Sequence, residues 1–317
     1  MRPRSRPFVR RPEASQAVAF VALTLAAAFF VVPIIWMVLQ STDQSALPIL
    51  HGRSFFGPPP TFSVQPWAFG SLSQLASNWG AIFSSHWIGG DTLLWLGNST
   101  FYSTAGAAIA VALCVPAGFA LATYKFPGRR AILVITMLVM LIPTNALVLP
   151  LFLEANSVHM LTSPLAVILP YGLFPFGVYL AYLFFNTERF DVLLQAARID
   201  GCDEWQAFRT IALPLSLPVS ALIIFLDFVA SWTNFFLPWV MYWSRNTTGR
   251  YPVALGVALQ LFNGQSFGAY LKVLQLHTTS PPSEIALLLL VTCAPVLVVF
   301  VLAQRWIGSG QVQGVFR

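Results

Sequence analysis

Asp227, Ser231 and Asn234 interrupt an apolar stretch at i, i+4 and i+7, the spacing of one helix face. A carboxylate, a hydroxyl and a carboxamide in that order can hydrogen-bond a polyhydroxylated solute or a neighbouring helix. At bilayer depth a carboxylate costs about 3 kcal/mol unless it faces water or a partner. Two readings stand side by side. Either the stripe lines a solute path or bonds a partner chain, or Asp227 is a protonated or hydrogen-bonded packing residue between helices. Thr144 and Asn145, directly after Pro143, form a second polar pair within an apolar run. Proline frees backbone groups, so this pair either lines the same path or satisfies a kink.

Other chemistries find no support in the residue pattern. Glu154, His159 and His277 lie outside or at the edges of the apolar runs, with no His/Glu cluster and no Ser–His pair. Cys114, Cys202 and Cys293 lie far apart, without metal or redox spacing, and read as packing residues. The two lysines, Lys125 and Lys272, belong to no phosphate-binding loop. No catalytic, cofactor-binding or metal-ligating residue is assigned.

The elements that must hold these residues are membrane spans. Charged residues make up 9% of the 317 and apolar ones 57%, with a mean hydropathy of +0.72. A soluble surface of that size needs far more charge, so the chain reads as a polytopic all-α membrane protein. Apolar runs near 16–40, 100–123, 131–153, 163–186, 217–240 and 284–304 are each long enough to cross a bilayer. The first is too long for a cleaved leader and lacks a cleavage site of small residues. The second carries Ala108, Ala112, Pro116 and Ala120 every four residues, a stripe expected to pack closely on another helix.

Six spans place alternate loops on opposite sides. One side then holds Arg2, Arg4, Arg6, Arg10 and Arg11, with Lys125, Arg129, Arg130, Arg189, Arg198, Arg209, Arg305 and Arg317. The other holds only Arg53, Arg245, Arg250 and Lys272, on longer loops. The bias puts both termini and the 187–216 loop in the cytoplasm. The net charge of +6 is therefore sorted by membrane side and does not form a nucleic-acid patch. The expected organisation is a basic tail (1–15), a first span (16–40), an external loop (41–99), a five-helix core (100–304) and a cytoplasmic tail (305–317). The external loop holds Pro58, Pro59 and Pro60 with Trp67, Trp79 and Trp87, which suit short interfacial helices and an aromatic belt.

The cytoplasmic loop has its own grammar. A short helix is expected over 191–200, ended by Gly201, which tolerates positive φ. Asp203 and Gln206 have capping-box spacing for a second short helix. Leu213, Pro214 and Pro218 then close that helix and open the fifth span. Such an elbow is expected to present Ala196 and Ala197 to a partner, with Leu193, Leu194 and Ile199 as an apolar ridge.

Gln195-Ala196-Ala197-x-x-Asp200-Gly201, followed by Ile211-x-Leu213-Pro214, resembles the EAA loop of binding-protein-dependent ABC transporter permeases. Gln195 stands where that family has Glu, and Cys202 where it has Ala. The tail, with Gln304, Arg305, Trp306, Gly310, Gly314 and Arg317, is similar to the end of the sugar-uptake branch. Trp232-Thr233-Asn234 through Pro238 resembles its W-N-x-F-x-x-P signature with one residue displaced. Pro33, Trp36, Met37, Asn98 and Ser99 also fall where those permeases have such residues.

The resemblance is to the second permease subunit of maltose-type and multiple-sugar-type importers. It implies the type I ABC importer permease fold in a bacterial cytoplasmic membrane. It further implies a homologous second permease, two ATPase subunits and an extracytoplasmic binding protein. ATP and Mg would bind the ATPase subunits and not this chain. Gln195, Ala196, Ala197, Asp200, Gly201, Leu213 and Pro214 would couple to the ATPase. Gln304, Arg305, Gly310 and Gly314 would make the tail contact. Thr144, Asn145, Asp227, Ser231 and Asn234 are candidates for the translocation path.

The rival class is an ATP-independent secondary transporter or channel, which would show charge pairs in the membrane or inverted repeats. An intramembrane enzyme would need clustered nucleophile, base or metal ligands. An anionic substrate is disfavoured, since no cationic side chain falls inside a span. The solute otherwise stays open among saccharides and glycerol phosphate derivatives.

Overall fold

A computed structural model describes residues 13–42, 71–84, 91–161, 163–242, 248–263 and 282–307. Helices dominate, and no strand occurs among the described residues. In chain order the first are α1 (Glu13–Gln40), α2 (Leu72–Ile82), α3 (Thr92–Thr123), α4 (Arg129–Met140) and α5 (Val148–Ser157). Next come α6 (Leu165–Gly172), α7 (Pro175–Phe185), α8 (Glu188–Ile199), α9 (Glu204–Ala207) and α10 (Leu213–Leu215). The last are α11 (Leu217–Thr233), α12 (Phe236–Tyr242), α13 (Val253–Asn263) and α14 (Pro282–Ile307).

Four helical stretches are long and apolar enough to cross a membrane, or up to six if each of two bent pairs is one span. Two compact units emerge, 1–79 with 281–290, and 80–280 with 291–317.

In the first unit α1 runs 28 residues, about 42 Å. It is apolar all round and exposed from Val18 to Ile35, as a helix in contact with lipid should be. Its end is tied by side chains. Ser41 Oγ donates to the Val38 carbonyl at 2.7 Å, and Asn78 Nδ2 donates to the Ser41 carbonyl at 2.8 Å. Gln74 Nε2 in turn donates to Asn78 Oδ1 at 2.9 Å.

In the second unit α3 is the central post, with α6, α7 and α11 packed along it. Its 32 residues span about 48 Å, starting at Thr92 and not near residue 100 as expected. The external loop is expected to run to residue 99, yet Asn98 and Ser99 lie on the helix, and they and Tyr102 find partners on the returning chain. Asn98 Nδ2 donates to the Gly249 and Tyr251 carbonyls, each at 3.1 Å. Ser99 Oγ accepts from the Val253 amide at 2.8 Å, and the Tyr102 hydroxyl donates to the Arg250 carbonyl at 2.9 Å.

The small-residue stripe of α3 needs correction. Ala108, Ala112 and Pro116 are exposed and Ala120 half-buried. The face that packs is Gly106, Ala110, Cys114 and Gly118. A Cβ placed on Gly118 would sit 2.4 Å from the Ala181 Cβ and 2.6 Å from the Tyr182 nitrogen. Only glycine permits that approach of α3 to α7. Both faces have four-residue spacing, but only one has no side chains at its points of closest approach.

Three expected spans are broken. The 131–153 run is α4, then a 3₁₀ turn at Thr144–Leu147, then α5, with a bend of 99° at Pro143. The 163–186 run breaks at Leu173 and Phe174, ahead of Pro175. The Phe174 carbonyl there accepts from Cys114 Sγ at 3.2 Å. The 217–240 run ends its helix at Thr233, and Asn234 is extended. Proline cannot supply the amide that a continuing helix requires, which accounts for the first two breaks.

Candidate functional site

Two places collect the residues singled out above: the elbow at 187–216 and a cavity among the broken spans.

The elbow is built by local hydrogen bonding. Helix α8 ends with Gly201 at φ 83°, where the Gly201 amide donates to the Arg198 carbonyl at 3.2 Å. The Cys202 amide reaches back to the Ala197 carbonyl at 3.0 Å, completing a Schellman closure. Asp203 then caps α9, its Oδ1 accepting from the Gln206 amide at 2.7 Å, while Gln206 Oε1 accepts from the Asp203 amide at 3.1 Å. These are the stop and start that the sequence signals.

Arg198 Nε and Glu204 Oε1 close the elbow across 3.0 Å. Both side chains are about half exposed, so this pair adds little stability. The Tyr124 hydroxyl at the end of α3 lies against Glu204. Burial above all, and then the Glu204 carboxylate, push that hydroxyl above its ordinary pKa, so it stays protonated and donates.

The faces of α8 differ from the expected division. Gln195, Ala196 and Ile199 are exposed, with Val192 on the same side, whereas Leu194 and Ala197 are buried. Leu194 belongs to a core that includes Phe119, Phe185, Phe190 and Phe208. Phe119 is its hub, 5.5 Å from the Phe185 ring, 6.2 Å from Phe190 and 5.1 Å from Phe208. Ala197 is thus a packing residue and Ala196 the presented one. The helical period places these neighbours 100° apart, and only the core decides which faces in.

After α9 a π-turn, Phe208–Ala212, leads into α10, where Leu213 and Pro214 are exposed. Pro214 has no amide to donate, and the wider turn ahead of it accommodates its ring. The chain then bends 67° into α11, and the buried Ser216 lies at that bend. Asp200 is exposed, as are Gln304 and Arg305 on α14. Gly310, Gly314 and Arg317 lie outside the described residues, as do the basic N-terminal arginines, Pro58–Pro60, Trp67, Trp87 and His277.

The cavity, about 360 Å³, is lined by Thr144, Tyr171, Phe174, Asp227, Ala230 and Asn234 among others. Thr144, Asp227 and Asn234 were expected on one path and do meet here. Asn145 and Ser231 do not line it. Ser231 is buried in helix packing, and Asn145 is exposed elsewhere.

Asn234 has a further task, since its Oδ1 accepts from the Leu237 amide at 3.1 Å and starts α12. Asp227 is 1% exposed, and neither carboxylate oxygen has a hydrogen-bond partner among the described residues. Gly106 lies beside it, and a Cβ there would be 3.4 Å from Asp227 Oδ2, within ordinary van der Waals contact. Tyr171 and Gly106 were missed by sequence reasoning. The Pro170-Tyr171-Gly172 run ahead of Pro175 was the available sign of a break lined by a polar ring. Among the described residues no group of His, Cys, Asp and Glu could hold a metal ion.

Comparison with known proteins places this architecture. Residues 114–312 match the family described as binding-protein-dependent transport system inner membrane component. The diacetylchitobiose uptake system permease protein NgcG of Streptomyces coelicolor is 26% identical, covering 95% of this chain and 89% of its own. The maltose/maltodextrin transport system permease protein MalG of Escherichia coli is 30% identical, covering 70% of this chain and 71% of its own. The arabinooligosaccharides transport system permease protein AraQ of Halalkalibacterium halodurans is 29% identical over 69% of this chain and 72% of its own. A chain in the crystal structure of a bacterial ABC transporter involved in import of the acidic polysaccharide alginate shares the fold. Its TM-score is 0.70 at 19% identity, covering 95% of this chain and 99% of that one. The long apolar helices, the elbow and these matches agree: the chain belongs to the family of binding-protein-dependent transport system inner membrane components, as a multi-pass membrane protein.

Proposed function

We propose that this chain is a non-catalytic permease subunit of an ATP-driven, binding-protein-dependent importer of carbohydrate in a bacterial cytoplasmic membrane. It crosses six times, with both termini cytoplasmic, and forms half of a heterodimeric path with a second permease. Residues 1–15 are a cytoplasmic tail, 41–99 an external segment apart from the early start of α3, and 305–317 a second cytoplasmic tail. Gln195, Ala196, Asp200, Gly201, Leu213 and Pro214 dock an ATPase subunit, which carries ATP and Mg. Ala197 holds the docking helix to its core. Gln304, Arg305, Gly310 and Gly314 add a tail contact, and an extracytoplasmic protein delivers the solute.

The observation that carries this reading is the elbow. A capped helix–glycine–helix unit exposes Val192, Ala196 and Ile199 to a partner while Leu194 anchors it to the aromatic core around Phe119. Closure of an ATPase dimer would reach α3 and α11 through that core as a rigid-body motion. The carbohydrate assignment is supported by the similarity to NgcG, MalG and AraQ, whose names specify saccharide uptake.

The test is purification of the tagged chain from its native membrane in mild detergent. An accompanying ATPase subunit, a second permease and saccharide-stimulated ATP hydrolysis are the expected result. A homo-oligomer without any ATPase would replace this reading with ATP-independent transport.

A further inference from the structure

The cavity holds more than a relay of polar groups. Asp227 is almost wholly buried with two unpartnered oxygens, and the buried Tyr171 hydroxyl beside Asn234 is short of hydrogen-bond geometry to any described residue. Buried polar atoms in folded proteins are nearly always paired, so these three acceptors and donors are left for an occupant. The volume of about 360 Å³ is in the range of small-molecule pockets. Its walls combine aromatic and aliphatic surface from Tyr171, Phe174 and Phe176 with the Asp227 carboxylate, and among the described residues no Lys, Arg or His lines it.

A carboxyl group buried without a partner among the described residues gains most from an occupant that donates to it, and an ammonium donor also favours its ionised form, which only accepts. Like charge beside it in a low-dielectric site is strongly disfavoured. Resting on the importer reading, we propose that this cavity is a solute subsite for an uncharged or ammonium-bearing glycosyl ring. Asp227 accepts from the ring's hydroxyl or ammonium donors, Thr144 and Tyr171 complete the polar rim, and an anionic ring is refused. The aromatic wall offers the apolar ring face a stacking surface. A site built around a fixed acceptor discriminates by leaving that acceptor unpaired when the wrong ligand enters.

The probes are glucose, glucosamine and glucuronate, read by saturation-transfer NMR on the chain with its accompanying subunits in lipid nanodiscs. The wild type should bind glucose and glucosamine saturably, with glucuronate at least about tenfold weaker. Asp227→Asn keeps the shape and removes the charge. It should weaken glucosamine by at least about tenfold and bring glucuronate to within about threefold of glucose. Thr144→Val should weaken all three sugars while preserving their order.

Absence of saturable binding in the wild type would overturn the subsite. So would an unchanged ligand order in Asp227→Asn, and the carboxylate would then be a helix-packing or subunit-contact group. Either failure with an ATPase subunit still present leaves the importer reading intact. Absence of the ATPase strikes that reading first.

Discussion

Gly118 shows how much one residue decides in this fold. A Cβ at that position meets backbone atoms of Ala181 and Tyr182 at 2.6–2.7 Å, and no rotamer relieves a backbone clash. We predict that Gly118→Val lowers stability by at least about 1–3 kcal/mol, the range for overpacking. Gly97→Ala is the control on the same helix, since a Cβ there meets nothing within 4 Å, and replacing a helical glycine is stabilising by about 0.5–1 kcal/mol. Fluorescence-detected size exclusion with a thermal ramp reads both variants. Equal melting of Gly118→Val and the wild type would mean that α3 and α7 stand further apart than the structure places them. Asp227 illustrates the converse case: its carboxylate is buried, yet helix packing gives it no hydrogen-bond partner among the described residues.

At the level of elements, α8 is an amphipathic helix whose two faces have different jobs. Ile199 is 85% exposed and Leu194 only 2%. A charge at each should therefore fail differently. Ile199→Glu is expected to leave yield and melting close to wild type but to cut co-purifying ATPase subunit by about tenfold, as the loss of an interface anchor does. Leu194→Glu buries a charge beside Phe119 and Phe190, costing several kcal/mol, and should abolish folded protein. If Leu194→Glu folded normally and lost only the ATPase, the faces would be reversed.

The capping box makes a separate, smaller prediction. Asp203→Ala should cost about 1 kcal/mol, confined to the α9 turn. Hydrogen exchange would show it as faster exchange of the Gln206 amide, with α3 amides unchanged. Both helix ends here are short-range devices, and both were visible in the sequence for that reason: Gly201, Asp203 and Gln206 act on neighbours within five residues.

On the scale of the whole molecule, six crossings require Ser157 and Cys202 to face opposite sides of the membrane. With Cys114 and Cys293 replaced by Ala, single cysteines at 157 and 202 separate the possibilities. A membrane-impermeant maleimide should label Ser157→Cys in intact cells, and the native Cys202 only after permeabilisation. Labelling of Cys202 but not of Ser157→Cys in intact cells would instead fit four crossings, the count without the bent pairs. That arrangement would also remove the elbow from the ATPase side.

The amino-acid sequence by itself determined the membrane class, the approximate spans and the elbow. Each depends on composition, on periodicity or on residues close in the chain. Local signals could not choose between the two small-residue faces of α3, between Ala196 and Ala197, or between a straight span and one broken at Pro143 or Pro175. Those choices depend on which surfaces meet, and burial is a property of the packed molecule. The cavity is the clearest instance. Thr144, Tyr171, Asp227 and Asn234 come from three separate stretches of chain, and only the bends that bring those stretches together leave Asp227 buried without a partner.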